Sequence, residues 1–261
     1  MIKKQKEFDA GRTFVEWYEF ASFQEFSSLT CRVFTSKGGV SVGPYKGLNI
    51  SFDVGDNKEH VEINRARLVA CFNEEDQTIP FVATNQVHGT AITSLEKDTP
   101  LPLSCSSDAI STNLPKRCLA IKHADCQAAV FYDPINHAVG AVHSGWRGNV
   151  QNIYEKQVSF MKSRYGTRPE NLFVGISPSL GPKNAEFLNY EKEFPKEFFP
   201  FQVTPFHFDL WQLSLFQLKE LGIKEDHVEI AKMCTYALQD EFFSYRRNKI
   251  TGRNATCVML K

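Results

Sequence analysis

The stretch 123–149, HADCQAAVFYDPINHAVGAVHSGWRGN, decides how this chain folds. Two apolar runs flank the turn DPIN at 133–136, the pattern of an antiparallel hairpin. Folded back on that turn, Tyr132 meets His137, and the same register brings Cys126 opposite His143. Opposed residues share a face, with Cβ atoms roughly 4.5–5.5 Å apart. A thiol and an imidazole that close can share a metal ion or a proton. Pro134 cannot take the positive φ of the favoured two-residue hairpin turn, which predicts a wider loop or a bulge. A slip of one residue would turn Cys126 to the other face. Beyond the hairpin, Gly145, Trp146, Arg147 and Gly148 form a short glycine-flanked loop, and Asn149 reads as the N-cap of a helix. Helix N-termini attract anions through unpaired N–H groups, and Arg147 adds a charged fork for phosphate or carboxylate.

Outward from this stretch, 261 residues with 42% hydrophobic and 13% aromatic content can bury a large core. The expectation is one domain over 1–261, with the segment before Cys31 peripheral to it. Thirty basic residues balance thirty acidic ones, so no global charge drives the chain toward nucleic acid or an anionic membrane. The first residues hold no uninterrupted apolar segment and no small-residue cleavage site, which argues against a secretory signal. No run of about 18 apolar residues is present to span a bilayer. The seven cysteines are scattered and never spaced C-x-x-C, which predicts reduced thiols in a cytoplasmic compartment.

Strands are expected at 31–34, 81–87, 118–122, 172–176, 227–233 and 256–260. Asp56 or Asn57 caps a helix reaching Phe72 with Val61, Leu68 and Phe72 on one face, and Asn64 and Arg65 at the edge of that stripe. Val150, Ile153, Val158 and Met161 form the stripe of a second helix, stopped by Gly166. Asp209 caps a third with Trp211, Leu215, Leu218 and Leu221 on one face and Gly222 as its stop. The phenylalanine-dense, proline-broken run 186–208 reads as irregular structure covering the core. Interleaved strands and helices favour a layered α/β or α+β architecture with a mixed sheet.

Thiolate, imidazole and water are good zinc ligands, and three protein ligands leave a fourth position for water or substrate. His88 beside Gly89, with Cys126 and His143, can make that set, although a lone histidine there is also a common structural residue. Such a metal lowers the pKa of its water toward about 7. Other metal patterns fit less well. His60, Val61 and Glu62 match the H-x-E half of zinc nucleobase deaminases, but the P-C-x-x-C half is absent. H-E-x-x-H is missing, and no repeated His-x-His pairs or Met-bearing site ask for a multicopper oxidase. A metal-free alternative uses Cys126 as nucleophile and His143 as its base. Arg246, Arg247 and Arg253 form either a solvated basic loop or an anion clamp.

Taken together, ADC before an apolar strand, HSGWRGN, QVHGT, GLNISFDVGDN, Asn64 with Arg65, CT at Cys234, FFSYRR, and TGR at Arg253 resemble the YfiH family. These are the laccase-domain or polyphenol oxidase proteins now regarded as purine nucleoside phosphorylases, also called peptidoglycan editing factor. The resemblance runs from about Cys31 onward. It implies a three-layer α/β/α fold with a mixed β-sheet, similar to the cysteine hydrolases related to cytotoxic necrotizing factor, and a cytoplasmic location. It implies zinc, with copper as the other candidate, on His88, Cys126 and His143. The implied chemistry is phosphorolysis of adenosine, inosine and S-methyl-5′-thioadenosine, with adenosine deamination alongside. Catalytic positions by this resemblance are Cys126, His88, His143 and Asp125, the last orienting a ligand, handling a proton or making a structural hydrogen bond. Substrate and phosphate positions are Arg147, Lys37, Asn49, Arg65, Arg246 and Arg253. The expected partners are a nucleoside and phosphate, with no nucleic acid or membrane, for a monomer or homodimer. The chain departs from the family pattern at Gln127, where a proline is usual soon after the cysteine, at Lys37, at Ser177–Pro178–Ser179, and at Ala185. Two other readings are a cysteine-dependent hydrolase of peptidoglycan precursors or amides, and a non-catalytic nucleotide-binding module.

Overall fold

Every residue of the closing strand, Asn254–Leu260, is buried, with Val258 and Leu260 on one face and Ala255, Cys257 and Met259 on the other. A strand apolar on both faces needs a layer against each. The computed structural model describes residues 1–8, 10–72 and 79–261 and supplies both layers. One six-stranded sheet runs, in spatial order, Ile2–Phe8, Thr13–Glu19, Leu29–Phe34, Asn254–Leu260, Cys118–His123, Phe81–Val82. The other runs Val228–Ile230, Phe173–Ile176, Gln127–Asp133, Ala138–Ser144, Ala109–Thr112, Ile92–Ser94. Each sheet is mixed: Phe81–Val82 is parallel to its neighbour in the first, as are both edge strands in the second.

The sheets face each other across one core, in which Val33, Ile121 and Val258 of the first meet Val130, Val139 and Ala141 of the second. On the outer face of the first, Leu68 of the helix Lys58–Ala70 packs over Phe34, Cys118 and Cys257. On the outer face of the second, Ile153, Tyr154 and Met161 of the helix Ile153–Tyr165 and Leu218 of Leu210–Glu220 cover Phe131, Val142 and Val174. The expected mixed α/β class holds, with the β layer doubled between its helices. The amino-terminal segment is more than peripheral, because it adds two strands to the first sheet and buries Val15, Trp17, Phe20 and Phe23.

In the central hairpin Asp133 pairs with Ala138, Tyr132 with Val139 and Ala128 with His143. This register lies two residues beyond the one expected, because Asp133 joins the ladder and the loop takes in 134–137 instead of 133–136. Asp133 holds the loop by accepting from the backbone N–H groups of Ile135 and Asn136 at 3.0 and 3.1 Å. His137 takes the left-handed step (φ 48°) that Pro134 cannot take. Since side chains alternate with period two, an even slip leaves Cys126 on the face of His143.

Three local expectations are corrected. The strand at Phe81 stops at Val82, and 83–89 is irregular backbone. Asn149 lies inside a short helix, Trp146–Val150, and Asn152 caps the next one by accepting from Glu155 N–H. The helix Leu210–Glu220 buries Leu210, Leu213, Ser214, Gln217 and Leu218, not the stripe through Trp211 and Leu215. A count of apolar residues misses this face because two of its members are polar. Gln127 accepts from Tyr154 Oη at 2.6 Å and Ser214 Oγ at 2.7 Å, while Asn149 Nδ2 donates to Gln217 Oε1 at 3.1 Å. Gln127 thus carries a buried polar network one residue after the cysteine.

The phenylalanine-dense run forms a satellite core, with Phe187, Phe194, Phe198 and Phe208 packed on Leu180, Leu210 and Leu213. Asn64 is fully buried and does not edge a stripe. It pins the loop 36–51 by accepting from Val40 N–H at 2.8 Å and donating to Ser41 Oγ, Gly47 O and Asn49 O at 2.9, 3.2 and 2.8 Å. Asn64→Ala strands these groups out of water and is expected to cost about 3 kcal/mol in urea unfolding. A loss well under about 1 kcal/mol would show that the loop does not hang on this side chain.

Candidate active site

The site is arranged by a carboxylate that sequence reasoning missed. Asp108, fully buried at the head of the strand Ala109–Thr112, accepts the backbone N–H groups of Val87, His88 and Gly89 at 3.1, 2.9 and 2.7 Å. It also sits 2.8 Å from His143 Nδ1. Burial works to push its carboxyl up, but the hydrogen bonds from His143 and from the Gly89 and Val87 amides outweigh that and hold it low. An ionised carboxylate only accepts, so it places the His143 proton on Nδ1 and leaves Nε2 free to act as a ligand. The same group fixes irregular backbone in which His88 takes a left-handed φ of 60°. One side chain thereby positions both histidines.

Cys126 stands just before its strand. Its Sγ is 4.0 Å from His88 Nε2, and the His88 and His143 rings meet edge-on with centroids 4.9 Å apart. The three ligand atoms lie within 4.8 Å of one another. Ligand atoms around four-coordinate zinc are roughly 3.3–3.7 Å apart, so the set is slightly wider than a loaded one. A sulfur with two ring nitrogens is a zinc-type donor set. The backbone leaves room for it: a Cβ on Gly145 would come 3.0 Å from Cys126 Sγ and 3.1 Å from His88 Cδ2. Among the described residues, this is the one group of three such side chains able to hold an ion.

Burial opposes ionisation of the Cys126 thiol, yet the charge of His143 and hydrogen bonds from His143 and His88 prevail and bring it down to about 6. His143 moves the opposite way. Burial disfavours its cation, but the Cys126 charge and the Asp108 hydrogen bond raise it. Without metal, the two form a thiolate–imidazolium pair. His123 lies behind them, with Nε2 at 2.9 Å from Thr256 Oγ1, and desolvation together with the His143 charge depresses it to about 3.

Two cavities meet at this cluster, one of about 500 Å³ and one of about 420 Å³, and His88, Ala124, Cys126 and Tyr245 line both. Arg147 and Arg246 border the larger, and Arg253 the smaller. Arg147 lies 4.0 Å over the Trp146 ring, while Arg246 Nη2 donates to Glu186 O at 2.9 Å. Three expected substrate residues border neither cavity. Lys37 pairs with Glu16 at 3.1 Å. Asn49 is saturated by the protein, donating to Ser51 O and Asp56 Oδ2 and accepting from the N–H groups of Ser51 and Arg253. Arg65 is stacked between Phe52 and Phe81 at 4.2 and 4.8 Å and donates to Ile50 O, so it props the loop that carries Ser51 and Asp53. Asp125 borders the larger cavity. Its oxygens are occupied by Thr235 Oγ1 at 2.7 Å and Arg246 N–H at 2.6 Å, a bracket that ties the SYRR loop to the cysteine and supports the structural role among the three considered.

Two outcomes check this geometry. In metal-stripped protein, alkylation of Cys126 by iodoacetamide rises with pH through a midpoint near 6, where a free thiol needs about 8.5, because the thiolate is the reactive form. A Cys126→Ser blank subtracts the other thiols, and a midpoint near that of free cysteine would refute the pairing. Asp108→Asn is expected to weaken zinc binding by about 10–100-fold in competition with a chelating dye. Unchanged affinity would show that the carboxylate does not position the ligands.

Comparison with known proteins identifies the family and the fold. A family profile described as "Multi-copper polyphenol oxidoreductase laccase" matches residues 30–261. A Shigella flexneri protein named purine nucleoside phosphorylase YfiH is 33% identical over 231 residues, covering 87% of this chain and 91% of its own. A purine nucleoside phosphorylase of Bacteroides thetaiotaomicron is 31% identical over 257 residues, covering 92% and 95%. Among solved structures, YlmD from Geobacillus stearothermophilus superposes with a TM-score of 0.82 at 26% identity over 98% of both chains. A Neisseria meningitidis protein, NMB0706, does so with a TM-score of 0.78 at 28% identity, over 90% of this chain and 95% of that one. With the profile spanning most of its length and such relatives covered nearly end to end, the chain belongs to the laccase-domain family of YfiH proteins.

Proposed function

We propose that this chain is a zinc-dependent purine nucleoside phosphorylase that also deaminates adenosine, with His88, Cys126 and His143 as the metal ligands. The observation that carries the reading is the convergence of these three donors where two cavities meet. The relatives' name, purine nucleoside phosphorylase, supports the substrate class. Seven free thiols support a reducing, cytoplasmic setting. Among the described residues no helix is long and apolar enough to cross a membrane.

When bound, the ion supplies Lewis acidity at the junction of the cavities. The protein does the rest. Asp108 keeps His143 in one tautomer, and the Cys126 thiolate keeps the ligand set anionic. Arg147, Arg246 and Arg253 are the cations on offer to phosphate or to developing charge. In phosphorolysis a phosphate oxygen bonds to ribose C1′ as the C1′–N9 bond breaks, the electron pair leaves with the base, and the base takes a proton from dihydrogen phosphate.

A second reading has its own observation. The low thiol pKa of Cys126 beside His143 also suits a cysteine nucleophile. One experiment separates the two. Adenosine or inosine is incubated with and without inorganic phosphate, and the released base is followed by chromatography. Phosphate-dependent release of adenine or hypoxanthine is expected, lost on chelation, regained with zinc, and at background level in the Cys126→Ala/His143→Ala double variant. Normal release by that variant would refute the proposal. A covalent adduct on Cys126 in chelator-treated protein would select the hydrolase.

A further inference from the structure

We infer that the two cavities divide the substrates between them, inorganic phosphate entering the smaller one onto Arg253 and the nucleoside occupying the larger one. This rests on the phosphorylase reading and adds the location of each reactant.

Charge separates the two spaces. Around the larger, the cations Arg147, Arg246 and Lys249 are matched by the carboxylates Asp125, Glu186 and Glu193. Around the smaller, Arg253 and Lys122 face only Asp53. Lys122 and Asp53 close on each other at 2.8 Å, so among the described residues the cation there without an ion-pair partner is Arg253. Its Nη1 donates to Thr251 O and Gly252 O at 3.0 and 3.1 Å, while Nε and Nη2 have no hydrogen-bond partner among the described residues. No carboxylate of the described residues forms an ion pair with it. The charges of Cys126, Asp125 and Asp53 act on it from a distance, but a half-buried guanidinium with unpaired N–H donors is still costly, and an arriving anion that takes those donors offsets that cost. Two free donors on one planar fork suit bidentate binding of phosphate.

The larger cavity has the opposite character. Phe187, Trp146, Leu180 and Leu210 give it apolar wall, as a heterocycle requires, while Glu186 and Glu193 would repel a phosphate anion. Glu193 is half-buried and forms no ion pair among the described residues, so its carboxylate is free to accept from an N–H or O–H of the nucleoside. His88, Ala124, Cys126 and Tyr245 are the residues that the two cavities share. Phosphate therefore approaches C1′ from the side away from the departing base, and the displacement inverts that carbon to give the α-configured ribose 1-phosphate.

The test uses metal-loaded protein and two variants, Arg253→Met and Glu193→Gln, with folding checked by circular dichroism and metal content by elemental analysis. Arg253→Met is expected to raise KM for phosphate by about tenfold or more while KM for inosine stays within about twofold. Arg253→Lys recovers part of the loss, and Glu193→Gln shows the reverse split. Calorimetric titration with inorganic phosphate and, separately, inosine reads the same division without turnover. Absence of phosphate-dependent release in the unaltered protein refutes the phosphorylase reading. Phosphate-dependent release together with Arg253→Met that leaves phosphate KM unchanged, or raises both constants alike, refutes the division.

Discussion

A carboxylate sealed from water, Asp108, is the constraint on which the site depends. Left alone in the interior, such a group would cost several kcal/mol. Three backbone amides and one imidazole surround it, and each is a group that must be correctly placed for the site to exist. The residues before Gly89 are largely outside the sheets, with a bridge from Asn85 to Ser106, the Thr84 hydroxyl on Ser107 O and the reciprocal hydrogen bonds of Gln86 with Lys122 among their other anchors. The carboxylate therefore converts a loop into a fixed platform, with His88 in a left-handed conformation that is uncommon for residues other than glycine.

The double β layer explains why the platform has somewhere to stand. His143 projects from the face that packs against the other sheet, as Val139 and Ala141 do, but at the end of its strand. There the interior gives way to the two cavities instead of to more side chains. The satellite cluster of phenylalanines then raises a wall that neither sheet provides, and the Asp125 bracket draws the SYRR loop across. Core packing and active-site shape come from the same alternation of side chains along one strand.

Much of this was legible in the chain because period-two and period-3.6 patterns are local. The hairpin, the caps at Asn57 and Asp209, the stop at Gly166 and the pairing of Cys126 with His143 on a face are all read over a few residues. What escaped was non-local. Nothing near Asp108 in sequence announces that its carboxylate will meet residues 87–89 and 143. Ser214 and Gln217 look like solvent-facing positions until Gln127 and Asn149 are brought against them. Asn49 and Arg65 belong to the family-like motifs, yet their contacts serve the loop that walls the smaller cavity, and Lys37 pairs with Glu16, so a motif can mark a support as readily as a ligand. That the β layer is double was likewise out of reach, since a strand buried on both faces does not say what covers it.

The loop at 134–137 bears on how such a protein can change over generations. Insertions or deletions of an even number of residues in this hairpin would slide one strand along the other yet keep sulfur and imidazole looking into the same space. An odd change would send the sulfur into the layer of helices. Lineages should accordingly vary this connection in steps of two, a parity rule imposed by pleat geometry on the history of the gene.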